Sequence, residues 1–397
     1  MIALWTQSDT EDLEISLCRI LIGGDTCPIG INAPLFGSGD GKALVNDLRS
    51  EFERADLVIV NLECPLIESE SPIEKCGPHL GAATSTARGL RSIGIDVVGL
   101  ANNHIMDHGK DGLSSTIAAL KAHCIDFVGA GRNLAEARRI KVMDVRGLRV
   151  GILAMAEYEF GIACVDRAGA NPIDVIEFVR TMNCSRGEFD LLVVLLHGGN
   201  EFYQFPRPSL MEMCRFLVEQ GAGAVVCQHS HCVGCKEIYQ GAPIIYGQGN
   251  FLFDFPSDHA SWHKGALVLL DVDDRDLRVN LSMVPFRQSP YQPGIQREPD
   301  EASRATLEAF ERRSKALLVP GFVEKQWEQF CFEQRRHFLH ILHGKRTIGR
   351  RIAGRLGLLK YLDSKEKQRN RLHYLRCESY REAIIKVLSS ELRDPSD

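Results

Sequence analysis

Along the first 290 residues, short apolar runs alternate with stretches whose apolar residues recur at three- and four-residue steps. Runs at 17–22, 57–60, 96–100, 150–154, 191–196 and 224–227 are apolar at nearly every position, the pattern of strands buried on both faces. Segments 42–54, 111–123, 172–184 and 209–220 carry helical spacing and lie between those strands. Such alternation predicts a layered α/β fold. From 236 to about 285 the pattern changes. There, 268–272 and 277–284 flank Asp273-Asp274-Arg275-Asp276, which reads as a turn between two neighbouring strands. The stretch 288–299 holds three prolines and a glycine and reads as a linker. Beyond it, 301–318, 323–343 and 364–392 have helical periodicity. The chain thus divides into an α/β domain at 16–290 and a helical, basic extension at 300–397.

Composition changes this picture little. A length of 397 residues exceeds the roughly 100–200 of a typical domain. Hydrophobic residues at 44% and charged residues at 25% are ordinary for a globular protein. A net charge of -5 gives no reason to expect a nucleic-acid partner. Charge is unevenly spread, however. Residues 301–397 carry 21 Lys/Arg against 13 Asp/Glu, a net of +8, and the rest of the chain carries -13. Between 321 and 360 there are nine basic residues against three acidic. That stretch is either a solvated face or a surface for a polyanion, an acidic membrane or a partner protein. Gly344 and Gly349, around Lys345-Arg346, argue for a break between helices there. Thirteen cysteines show no pairing pattern, and MIALWTQSDTEDLE lacks the basic and apolar regions of a signal peptide. No apolar run approaches the ~20 residues that span a bilayer. The expectation is a reduced, cytoplasmic protein that reaches a membrane only through partners.

Candidate chemistry sits at the ends of the expected strands. The first ends in Gly23-Gly24-Asp25, the second in Asn61-Leu62-Glu63 and the third in Asn102-Asn103-His104. The fifth ends in His197-Gly198-Gly199 and the sixth in His229-Ser230-His231. In open α/β sheets, ligands bind outside the carboxyl ends of the strands, so these five ends are expected to meet. Carboxylates with imidazoles suit Zn, Mn or Fe, and six such groups can hold two ions that share a carboxylate. Taken singly, each residue has a plainer explanation. An Asp after two glycines is often a turn or cap, Asn102-Asn103 is ordinary turn chemistry, and a lone His197 is usually a core histidine. The joint pattern is what points to metal.

The motifs GGD, NLE, NNHIMDHG, HGG, HSH and GQGNFLFD stand in the order shown by the CapA (poly-γ-glutamate capsule synthesis) family, which this chain resembles over roughly 16–290. That family belongs with the calcineurin-like metallophosphatases. The resemblance implies a four-layer α/β/β/α sandwich with a C-terminal helical extension outside it. It also implies that Asp25 holds the first ion and Glu63 bridges both. Asn103, His197 and His229 would complete the second site, with His231 returning to the first. His104 stands where the superfamily places a histidine that assists the leaving group. Two departures matter. Cys27 occupies the place of the superfamily's first-motif histidine, and Glu63 replaces its bridging Asp. The first ion is thereby one ligand short unless Cys27 supplies a thiolate.

Other features have plainer readings. Cys232 and Cys235 form a C-x-x-C with no second pair at zinc spacing, so buried thiols are expected. Asp107 either orients His104 or is solvated. Gly77, Pro78 and His79 form a loop suited to lining a pocket, and Asn250 lies where the chain turns back beside the site. The resulting expectation is a metal-dependent phosphoesterase in capsule or exopolymer synthesis, acting on an anionic or phosphorylated substrate. Two alternatives stay open: an accessory protein that holds an anionic polymer or its carrier without hydrolysis, and a metal enzyme of amide chemistry.

Overall fold

A computed structural model describes residues 17–289, 291–343 and 364–392. Residues 344–360 of the basic stretch, including Gly344, Gly349 and Lys345-Arg346, lie outside the described residues, as does the opening segment. Two sheets form the body. The first is built from β1 (Leu17–Cys27), β2 (Leu57–Leu62), β3 (Val97–Gly99) and β4 (Asp126–Val128). The second contains β5 (Lys141–Val145), β6 (Leu148–Ala156), β7 (Leu191–His197), β8 (Ala224–Gln228), β9 (Val233–Tyr239) and β10 (Ala242–Gln248). The chain then returns to the first sheet through β11 (Asn250–Phe253), β12 (Lys264–Asp273), β13 (Val279–Gln288) and β14 (Ile295–Arg297). Strand order is β14-β13-β12-β1-β2-β3-β4 in the first sheet, with β11 also on β1, and β9-β10-β8-β7-β6-β5 in the second.

Side chains that alternate along these strands explain the layering. Ile20, Ile22, Leu57 and Ile59 of the first sheet pack against Val193, Leu195, Ala224 and Val226 of the second, forming the inner core. The intervening Leu21, Val58 and Val60 face the other way, beneath α1 (Ala87–Ile93) and α2 (Gly109–Ala122). On the second sheet, Leu192, Val194 and Leu196 pack outward beneath α3 (Val175–Cys184) and α4 (Pro208–Glu219). Both faces of each central strand are therefore apolar, and the order of layers is α/β/β/α, as expected.

Among the described residues, four further helices follow: α5 (Asp300–Ala316), α6 (Phe322–His343), α7 (Lys365–Arg376) and α8 (Glu378–Leu392). Helix α5 packs on β9 and β13, while α6 and α8 pack on each other around Trp327, Phe338, Ile384 and Val387. Among the described residues, no helix is long and apolar enough to cross a membrane.

Several local expectations need correction. The helix expected at 42–54 is broken into Gly41–Val45, a 3-10 turn at Asn46–Leu48, and Arg49–Glu53. Asn46 adopts φ +44°, and its amide donates to the Ile295 carbonyl at 3.0 Å, which ties this corner to β14. The same β14 lies inside the stretch read as a linker. Leu277 belongs to the turn, with φ +57°, and not to the strand after it. The helix expected at 364–392 is interrupted where Cys377 is extended and buried.

Candidate metal centre

The carboxyl ends of β1, β2, β3, β7 and β8 converge, bringing together Asp25, Glu63, Asn103, His197, His229 and His231. Parallel pairing sets the approach: Asp25 lies beside Asn61 on one side and Asn250 on the other. Close contact requires glycine here, because a Cβ on Gly24 would sit 1.9 Å from the Gly249 carbonyl oxygen. His229 and His231 adopt φ +89° and +50°, conformations a non-glycine residue rarely takes. The His229 backbone N–H donates to Asp25 Oδ2 at 2.9 Å, and so helps hold that turn.

Distances within the cluster are short. His197 Nε2 lies 3.1 Å from Asn103 Oδ1, 3.1 Å from His229 Nδ1 and 3.4 Å from Glu63 Oε1. His197 Nδ1 lies 3.1 Å from the Asn61 amide nitrogen, and that amide donates to Asp25 Oδ1 at 2.7 Å. His231 Nδ1 is 3.5 Å from Asp25 Oδ2 and 2.7 Å from Asn250 Oδ1. Two groups can bring their donor atoms within 4.8 Å of one another: Asp25, Glu63 and His197, and Glu63, His229 and His231. Glu63 is common to both.

Burial dominates the electrostatics. Glu63 is fully buried, and neither carboxyl oxygen has a hydrogen-bond partner among the described residues. Burial, with Asp25 nearby, pushes its carboxyl well above the usual range. Burial also pushes His197 down to about 4 and His229 to about 3, which favours neutral rings. His231 goes the other way, because Glu63 and Asp25 outweigh its burial.

His104 and Asp107 stand beside this cluster. His104 Nδ1 lies 2.7 Å from Asp107 Oδ2, which also accepts the Leu80 N–H at 2.7 Å. Buried Lys75 pairs with the other Asp107 oxygen. Asp107 is thus an orienting group and not a solvated one. Burial lowers the pKa of His104 despite that carboxylate.

Cys27 lies apart from both donor groups. Its thiol is buried against Cys64, in the core on the helical side of the sheet, and burial and Cys64 together raise its pKa. Asn250 receives His231 and donates to the Trp262 carbonyl at 3.1 Å, so it orients a ring of the cluster. Cys232 and Cys235 are buried thiols outside any metal-capable group among the described residues. Gly77 and Pro78 line a cavity of about 470 Å³ in front of Asn103, His104 and His231, whereas His79 does not.

Sequence reasoning missed Lys75, Glu157, Glu159, Arg207 and the part that the C-terminal helices take in lining the cavity. Glu159 lies 3.8 Å from His229 Nε2 and is pushed up to about 8 by burial and by Glu157. The only available signal was an acidic pair after β6. Glu157 accepts from the Gly199 N–H at 2.9 Å and from Arg207 at 2.7 Å, and from the Ser379 N–H and hydroxyl at 3.1 and 2.5 Å. That buried knot ties the loop after His197 to α8.

Comparison with known proteins bears on this geometry. The chain is 32% identical over 213 residues to the capsule biosynthesis protein CapA of Bacillus anthracis, covering 51% of this chain and 52% of that protein. It is 28% identical over 207 residues to the PGA biosynthesis protein CapA of Bacillus subtilis (strain 168), covering 51% and 54%. The matched region is thus about half the length of these relatives. Among solved structures, the 5'-nucleotidase of Candida albicans SC5314 is similar at 12% identity and a TM-score of 0.42, over 80% of this chain and 58% of that one. The family model described as "Bacterial capsule synthesis protein PGA_cap" matches residues 19–255, more than half of the chain, and the chain belongs to that family.

Proposed function

We propose that this chain is a metal-dependent hydrolase of a phosphoester or phosphoanhydride, acting in the synthesis of a capsule or related exopolymer such as poly-γ-glutamate or a polysaccharide. The carrying observation is that three donor atoms, from Asn103, His229 and Glu63, lie 3.1–3.4 Å from a fourth, His197 Nε2. Atoms bound about 2.0–2.2 Å from one ion lie roughly 3 to 3.5 Å from each other, so the spacing suits a shared cation. The buried carboxyl of Glu63, without a hydrogen-bond partner among the described residues, supports the same reading, because a cation would satisfy both oxygens and offset the cost of ionising it there. Asp25 and His231 would complete a second site that shares Glu63, with Asn250 on Nδ1 leaving the other ring nitrogen of His231 for it. Cys27, turned toward Cys64, would stay out of it.

Mn, Zn or Fe suits these donors. When bound, such ions supply Lewis acidity toward a phosphoryl oxygen and a lowered pKa for water. The protein residues then have distinct tasks. Asn61 and Asn250 hold the rings of His197 and His231 in place. Lys75 offers a buried positive charge beside the cavity. Asp107 fixes the His104 ring through Nδ1, leaving Nε2 for the departing oxygen. Burial disfavours the charged form of His104.

The test is turnover of a phosphoester panel by the full chain loaded with Mn, Zn or Fe, beside His104→Ala. The variant is expected to keep its ions and lose about 10²- to 10⁴-fold in kcat. If an established metallophosphatase hydrolyses the panel while this loaded chain hydrolyses none of it, the reading is wrong.

A further inference from the structure

Helices α7 and α8 lie beyond the residues matched by the family model, yet they form one side of the cavity in front of Asn103, His104 and His231. Their contribution comes from Asn370, His373, Tyr374 and Tyr380. The His373 ring stacks on Phe160 with centroids 4.6 Å apart and planes at 20°, and Tyr374 rests against Tyr380 at 4.5 Å. Two polar atoms in this aromatic wall, Asn370 Oδ1 and His373 Nδ1, are buried with no hydrogen-bond partner among the described residues. An unsatisfied buried polar atom is costly, and a ligand that brings its own polar groups removes that cost. The wall is also held in place. Ser379 bonds Glu157 and the Gly199 carbonyl, and the Glu378 carboxylate accepts the Tyr158 N–H at 2.7 Å.

We infer that the C-terminal helices select the leaving group, so that the site takes a phosphoester whose departing part is a polar ring, either a sugar or a heteroaromatic. The ring lies against His373 and Tyr374, and its substituents meet Asn370 and His373. This rests on the reading of the metal centre as a phosphoryl site. A cavity of about 470 Å³ is of the size that holds one small ligand or a chain end. A plain alkyl group would gain neither the stacking nor the hydrogen bonds.

Calorimetry on the metal-loaded full chain with inert phosphonates tests the inference separately from turnover. Methylphosphonate probes the head group alone, phenylphosphonate adds a flat ring, and a C-glucosyl methylphosphonate adds a sugar. At least one ring-bearing ligand is expected to bind about tenfold more tightly than methylphosphonate. Which one gains identifies the ring. That advantage is expected to fall to about threefold or less in His373→Ala and in Asn370→Ala, with methylphosphonate affinity and ion content unchanged. Equal affinity for all three ligands, or an advantage that survives both substitutions, overturns the inference alone. If no phosphonate binds an ion-loaded chain, the phosphoryl reading fails first, and the inference falls with it.

Discussion

Replacing Glu63 with Gln is expected to remove the ion-dependent part of the protein's stability while leaving the metal-free protein at least as stable as wild type. The opposite signs follow from one environment. Glu63 is fully buried, its oxygens have no hydrogen-bond partner among the described residues, and burial with Asp25 nearby raises its pKa, which favours the neutral acid when no cation is present. A neutral amide then replaces a neutral acid of similar shape, at little cost. With ions present the comparison reverses, because the amide cannot serve as an anionic ligand to two sites. A ligand at 100 times its Kd stabilises the folded state by about 2.7 kcal/mol, and the variant should lose that increment. Thermal melts with chelator and with Mn or Zn, read beside elemental mass spectrometry, check both halves. An ion-induced rise in Tm that is the same in both proteins would show that Glu63 is no ligand.

Arg207→Met is expected to cost about 3–5 kcal/mol, more than an ordinary core substitution, because it strands a buried carboxylate. Arg207 is 4% exposed and pairs with Glu157 at 2.7 Å, and it also reaches Ser379 and Glu382. Burial alone would raise the pKa of Glu157, but the guanidinium beside it holds that pKa below the usual carboxylate range. Removing the guanidinium leaves a charge that must be neutralised or exposed. The pair Arg207→Met with Glu157→Gln is expected to recover part of the loss, since a neutral amide leaves no stranded charge and its single carbonyl oxygen still accepts from one of the Gly199 and Ser379 N–H groups. Urea unfolding in chelator measures this apart from ion binding. A single variant within about 1 kcal/mol of wild type would mean that the knot is not holding α8 against the body.

How far the centre was legible in the chain depended on distance along it. Each central strand is apolar on consecutive positions because both its faces are covered, and each proposed ligand follows such a run, as Glu63 follows Asn61-Leu62 and His197 follows 191–196. Local patterns of that kind survive in one dimension. Asn61 and Asn102 also stood in view, yet their part in orienting neighbours comes only from the pairing of β1 with β2 and the turn after β3. Lys75 sits in a segment without regular structure, and nothing nearby marks it as the partner of Asp107. The contact of Arg207 with Ser379 spans 172 residues, so no spacing rule reaches it. The aromatic wall on α7 escaped notice for the same reason, because its helical periodicity describes a solvated helix equally well. The break at Cys377 is likewise set by burial against Glu157 and not by a local breaker residue.

Ion content of the full chain, measured by elemental mass spectrometry after purification without chelator and reconstitution with Mn, Zn or Fe, tests the central claim most directly. About two ions per chain are expected, falling in both Asp25→Ala and His197→Ala, since a shared carboxylate couples the two sites. A chain that binds no ion under any of these conditions would contradict the account. The histidines and carboxylates at the strand ends would then be a polar core without metal chemistry.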